Sequence, residues 1–212
     1  NGIMTDVGAT QYFPTDGDKI WWDYHLWGNI PFTPAVIGSF PQPFLNGYQG
    51  KNSGTLILVG KGCEELATSL RDYLHEVGVE NVEVQDYEEE LVADRSKITL
   101  VVALWEELFQ SGFWAGIQKN RDKTGWFAEL QQEAFYSLNE EAERQKTYDE
   151  GVGAILATAM GMGDPTPLWL VTGLDKKGIT NAIEVLTNHE EKISKNFGVI
   201  IYDEDVISLP VQ

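Results

Sequence analysis

From residue 55 to residue 209, short apolar runs rich in β-branched residues alternate with stretches whose apolar side chains recur at helical spacing. That alternation requires strands buried between layers, so it predicts an α/β fold with a mixed sheet, in either two or three layers. TLILVG at 55–60 reads as a strand. In CEELATSLRDYLHEVG, Leu66, Leu70, Tyr73, Leu74 and Val77 share a helical face, and Gly78 ends the helix. ENVEVQDY and KITLVVAL read as further strands, and WEELFQSGFWAGIQ as a short helix. WFAEL, AFYSLN and ERQKTY read as antiparallel strands with a turn at Glu140-Glu141. GVGAILATAMG reads as a small-residue helix able to approach a sheet closely. PLWLVTG then reads as a strand, ITNAIEVLTNHEEKIS as a helix, and GVIIYDEDVISLPV as a closing hairpin. TLILVGKGCEELATSLRDYL and LWLVTGLDKKGITNAIEVL share a plan of strand, glycine turn with lysine, and helix, as any two βα units of a parallel sheet do.

Two different units precede this domain. Residues 9–27 predict a β-hairpin: ATQYF, the turn PTDGD, and KIWWDYHLW. In the second arm Ile20, Trp22, Tyr24 and Leu26 share one face, expected to be the core face. Trp21, Asp23, His25 and Trp27 share the other, which mixes aromatic rings with a carboxylate and an imidazole, as a groove would. An unpaired carboxylate and imidazole buried there would cost on the order of a few kcal/mol, so a groove or interface suits that face better than a closed core. Residues 29–54 hold four of the eight prolines together with many glycines, and read as an irregular strap between units. Its Phe32, Val36, Ile37, Phe40, Phe44 and Leu45 predict that it packs down rather than hanging free.

A formal charge of −18 repels phosphate backbones and anionic membrane surfaces, which argues against nucleic-acid binding. The longest apolar run, ITLVVALW, is too short to span a bilayer, and no secretory signal is visible at the Asn1-Gly2 start. Cys63 is the single cysteine, so no intrachain disulfide forms, and its place at a helix start could lower its pKa. The glycine turns VGKGCEE, TGLDKKG and GYQGKNSG lack the spacing of a dinucleotide fingerprint or a phosphate loop. His25, His75 and His189 are too far apart in sequence for a zinc motif, and the acidic clusters DYEEEL and DEDV lack the register of a calcium loop. No metal or cofactor is expected from the residues themselves.

NGIMTDVGATQYFPTDGDKIWWDYHLW resembles the second half of the transcobalamin-like C-terminal domain family, β-grasp-type modules of secreted and lipid-anchored bacterial proteins. The features that carry it are the Asn1-Gly2 turn, the Gly17-Asp18 turn and the Trp22-Asp23-Tyr24 strand. The aromatic strand that usually leads into that Asn-Gly is missing. The resemblance therefore implies a partial β-grasp-like unit over residues 1–28, an extracellular or cell-surface location with the signal upstream, and a corrinoid as a possible ligand by analogy. It makes Tyr12, Trp21, Asp23, His25 and Trp27 the ligand-contact candidates. The expected function is a non-enzymatic binding or accessory module for a cobalamin-like or other small ligand, near membrane transport or surface proteins. The alternative is a purely structural or protein-interaction domain, with self-association through the incomplete N-terminal unit. An enzyme using the turns at Gly60 to Cys63 and Thr172 to Lys177 is the third reading. It would need Cys63 and Lys176 in one cleft, and no acid, base or nucleophile set converges in the sequence.

Overall fold

The computed structural model describes residues 1–24 and 28–212. Its elements run β1 (Thr55–Val59), α1 (Glu64–Glu76), β2 (Val82–Asp86), α2 (Glu89–Asp94), β3 (Ile98–Leu104), α3 (Trp105–Leu108), α4 (Gly112–Lys119) and α5 (Arg121–Thr124). They continue with β4 (Ala128–Leu130), β5 (Phe135–Leu138), β6 (Arg144–Tyr148), β7 (Val152–Thr158), β8 (Leu168–Gly173), α6 (Lys176–Asn188), β9 (Gly198–Tyr202) and β10 (Asp205–Leu209). A seven-stranded sheet has the order β10-β9-β7-β8-β3-β1-β2, and β4-β5-β6 make a small antiparallel sheet. Strands β2, β1, β3 and β8 are parallel, while β7 runs antiparallel to both β8 and β9. The protein is α/β with a mixed sheet, in three layers.

The layers follow from side-chain alternation along the central strands. Ile57, Leu100, Val102, Ile155, Trp169, Val171, Val199 and Ile201 face α1, α6 and the strap. Leu58, Val101, Ala103, Leu156, Leu170 and Ile200 face the opposite layer of α2, α3, α4 and the small sheet. Because both faces are covered, these strands read as continuous apolar runs, with no polar side to mark them.

That double burial explains one correction. GVGAILATAMG, expected as a helix, forms strand β7, whose residues are all buried. A fully buried strand and a buried helix cannot be told apart by periodicity, and the β-branched Val152, Ile155 and Thr158 decide for the strand. The small residues do serve close approach, but with the roles exchanged: the helix comes to this strand. A Cβ on Gly153 would lie 2.2 Å from the Gly178 carbonyl oxygen, and one on Gly178 would lie 1.9 Å from that of Val152.

The strap is a component of the main core. Ala35, Ile37, Phe40 and Phe44 are buried among residues of β1, β3, β8, α1 and α6. Phe44 meets Trp169 edge-on at 5.1 Å, and Phe40 lies 5.8 Å from Trp169 while stacking on Tyr73 of α1 at 5.9 Å. Ile30 crosses to the other core.

The hairpin expected over 9–27 is not formed by the described residues: 9–24 carry turns but no strand, and His25, Leu26 and Trp27 lie outside the described residues. Each arm is held by something else. The Asp18 carboxylate folds the turn onto itself, accepting from the Thr15 N–H at 2.8 Å and the Tyr12 hydroxyl at 3.1 Å. The Lys19 N–H donates to Asn1 Oδ1, and Lys19 Nζ donates to the Phe40 carbonyl of the strap. The second arm is thus tied through Lys19 to Asn1 and the strap, and among the described residues it makes no ladder with ATQYF.

The close contact of α6 with β7 makes a direct test. Gly178→Ala should cost about 3 kcal/mol by overpacking, read as a lower urea midpoint at unchanged m. A change within about half a kcal/mol, the range of ordinary surface substitutions, would show that the helix does not approach the strand through this glycine.

Candidate functional site

The N-terminal segment is built onto the strap by polar bonds and aromatic contacts. Asn1 Nδ2 donates to Asp18 Oδ1 at 2.7 Å and to the Gly47 carbonyl at 2.8 Å, and Asn46 Nδ2 donates to the Gly17 carbonyl. The Val36 N–H donates to the Gly2 carbonyl and the Met4 N–H to that of Pro34. Burial would raise the Asp18 carboxyl. The Thr15 N–H and the Asn1 and Tyr12 side chains outweigh it and hold the group below its ordinary value. The Tyr12 phenol is pushed up to about 12, first by burial and then by its bond to Asp18, so it remains a donor. The Tyr12 ring leans on Tyr48 at 6.2 Å.

Among the sequence candidates, Trp21 is half-buried and packs on Phe197 at 5.4 Å, and Phe197 stacks on Phe127 of the second core. Asp23 is exposed. Tyr12 and Trp21 lean on different neighbours, Tyr48 and Phe197. His25 and Trp27 lie outside the described residues. The face expected to be the core, Ile20, Trp22 and Tyr24, points outward: Trp22 is 78% exposed and Tyr24 92%, with Ile20 and Phe13 also open. The face expected to be the core is therefore the open one, and of the opposite face Trp21 turns toward Phe197 while Asp23 stays exposed. The signal for these missed residues was present in the alternation, but both faces carry large rings and the pattern does not say which one the protein buries.

A second candidate lies at the carboxyl ends of β1, β3 and β8. Strand order reverses between β1 and β3, and open α/β sheets bind ligands at such a switch point. Lys176 lies close enough to act electrostatically on both Cys63 and Glu64. The chain has already filled this crevice with its own carboxylates. The Lys61 N–H donates to Glu107 Oε2 at 2.9 Å, and the Gly62 N–H to Glu64 Oε1 at 3.0 Å. These are the loop amides an anionic ligand would need. Gly60 leaves room for Glu107, since a Cβ there would stand 2.4 Å from its carboxylate. Cys63 is buried, and burial, then Glu107 and Glu64, raise its thiol against the lowering effects of the Leu104 N–H and Lys176. A buried neutral thiol is inert.

Between α1 and α6 runs an open groove of about 510 Å³ whose lining includes Asp72, Glu76 and Glu184, with no histidine, cysteine or cation in it. Among the described residues, no group of three or more His, Cys, Asp or Glu is placed to hold a metal ion, and no helix is long and apolar enough to cross a membrane. No protein-family model matches the sequence, and no curated protein matches it at a significant level.

The crevice gives a clear expectation. Cys63 should react with a disulfide reagent such as DTNB only as fast as the protein opens, at mildly alkaline pH, and at the free-thiol rate once unfolded in guanidinium. Rapid stoichiometric labelling of the native protein would show an accessible thiolate and restore the crevice as a chemical site.

Proposed function

We propose that the protein is a non-enzymatic binding module that acts outside the cytoplasm, and that it binds through the Ile20, Trp22 and Tyr24 face. One observation carries this reading: Trp22 and Tyr24 are 78% and 92% exposed in a segment whose preceding Trp21 is anchored on Phe197. Large apolar side chains held open on a fixed support mark interaction sites, whereas singly scattered ones do not. Aromatic residues also supply much contact area for little lost side-chain freedom.

The stripe is open and linear, and residues 18–24 belong to neither sheet. The ligand that fits it is an extended polypeptide whose apolar side chains at alternate positions pack against Ile20, Trp22 and Tyr24. The extracytoplasmic location rests on the resemblance of residues 1–28 to transcobalamin-like surface modules. The corrinoid reading rests on that same resemblance.

The two ligand classes separate in a titration followed by tryptophan fluorescence. The panel should hold short peptides alternating Val or Tyr with Thr, together with corrinoids, and compare the parent with the double variant Trp22→Ser/Tyr24→Ser. Saturable binding of peptides, weakened about tenfold or more in the variant as for aromatic anchors generally, is the expected result. A corrinoid response indifferent to the variant would overturn the peptide reading.

A further inference from the structure

We propose that Met4, Met160 and Met162 form a thioether site for a soft monovalent cation, Cu(I), for which Ag(I) is a redox-inert surrogate. These are all the methionines of the chain, and none belongs to either hydrophobic core. Methionine ordinarily fills gaps in cores. Here Met160 is 80% exposed and Met162 51%, on the loop between β7 and β8.

The third methionine is brought to them by a backbone bond. The Gly163 N–H donates to the Met4 carbonyl at 2.7 Å. Standard backbone dimensions then place the Met4 and Met162 Cα atoms within about 7.5 Å of each other, and Met160 within about 7.6 Å of Met162. A methionine sulfur reaches on the order of 4 Å from its own Cα through three rotatable bonds. The three thioethers are thus gathered at one end of the loop, each within one residue pair or one backbone bond of Met162, near enough for flexible side chains to share an ion.

The loop is fixed from below by Asp164. Its carboxylate accepts from the Met160 N–H at 2.8 Å, from the Thr166 N–H and hydroxyl at 2.9 and 2.8 Å, and from Arg95 at 3.0 Å. Arg95 also donates twice to the Thr166 carbonyl, and both members of the ion pair are nearly buried. The thioethers thus stand on an anchored loop, which lowers the ordering cost of binding. Asp6 adds negative charge beside them, since a Cβ on Gly163 would lie 2.4 Å from the carbon of its carboxylate.

The donor set selects the ion. Thioethers are soft ligands that suit Cu(I) and leave Zn(II), Mg(II) and Ca(II) to imidazole and oxygen sites. The proposal is independent of the aromatic face and stands or falls separately from it.

Methyl NMR of protein with isotope-labelled methionine tests it, because the chain gives only three signals to follow. The titrant is Ag(I), then Cu(I) under anaerobic reducing conditions, in a Cys63→Ala background so that the thiol cannot compete. All three methyl resonances should shift together and saturate at one equivalent, with no response to Zn(II). Met160→Leu and Met162→Leu, which keep volume and remove only the sulfur, should each weaken binding about tenfold or more while leaving the melting temperature unchanged. Resonances that stay still, that move independently without saturating, or that bind as tightly in the leucine variants would overturn the site.

Discussion

The contact of Trp169 with Phe40 and Phe44 governs the arrangement of the whole molecule. Trp169 lies on β8, in the middle of the sheet, and the strap lowers two rings onto it while Phe40 also stacks on Tyr73. Aromatic contacts of this kind contribute about 0.5–1.5 kcal/mol each beyond the area they bury. Their larger effect is positional. With Phe40 and Phe44 seated, the strap backbone presents the carbonyls of Phe40 and Gly47 that hold Lys19 and Asn1. The N-terminal segment is thereby carried on the core of the α/β domain, although few of its own residues enter that core.

This support decides which side of the segment is offered outward. Trp21 closes onto Phe197, which continues to Phe127 and the second core layer. Ile20, Trp22 and Tyr24 are left in solvent on a segment tied at Lys19 to Asn1 and the strap. At the opposite pole of the fold's chemistry, the switch-point crevice has its donors satisfied internally by Glu107 and Glu64. The filled crevice and the open aromatic face are the two observations behind the proposed binding role.

The sequence made the α/β alternation legible because strands and amphipathic helices carry distinct periods, and TLILV, ITLVVAL and LWLVTG stand as strands where the pattern put them. It failed at VGAILAT because burial on both faces removes the period that would mark a strand. It failed again at ATQYF and KIWWDY, where turn chemistry and alternation suggested mutual pairing. There the deciding partners, Asn1, Phe40 and Phe197, are distant in sequence or outside the hairpin. The same non-local contact with Phe197 drew Trp21 inward and left the expected core face open. Local composition could show that one face is buried, but only the tertiary partner selects which.

The central claim is that Trp21 is inward and Trp22 outward. Fluorine NMR of fluorotryptophan-labelled protein measures it directly, with signals assigned by Trp21→Phe and Trp22→Phe among the seven tryptophans. On exchange from light to heavy water, the account predicts a large solvent shift for Trp22, a small one for Trp21, and none for the buried Trp105, Trp114, Trp126 and Trp169. A shielded Trp22 beside a fully solvated Trp21 would contradict it and return the arm to the orientation its sequence suggested.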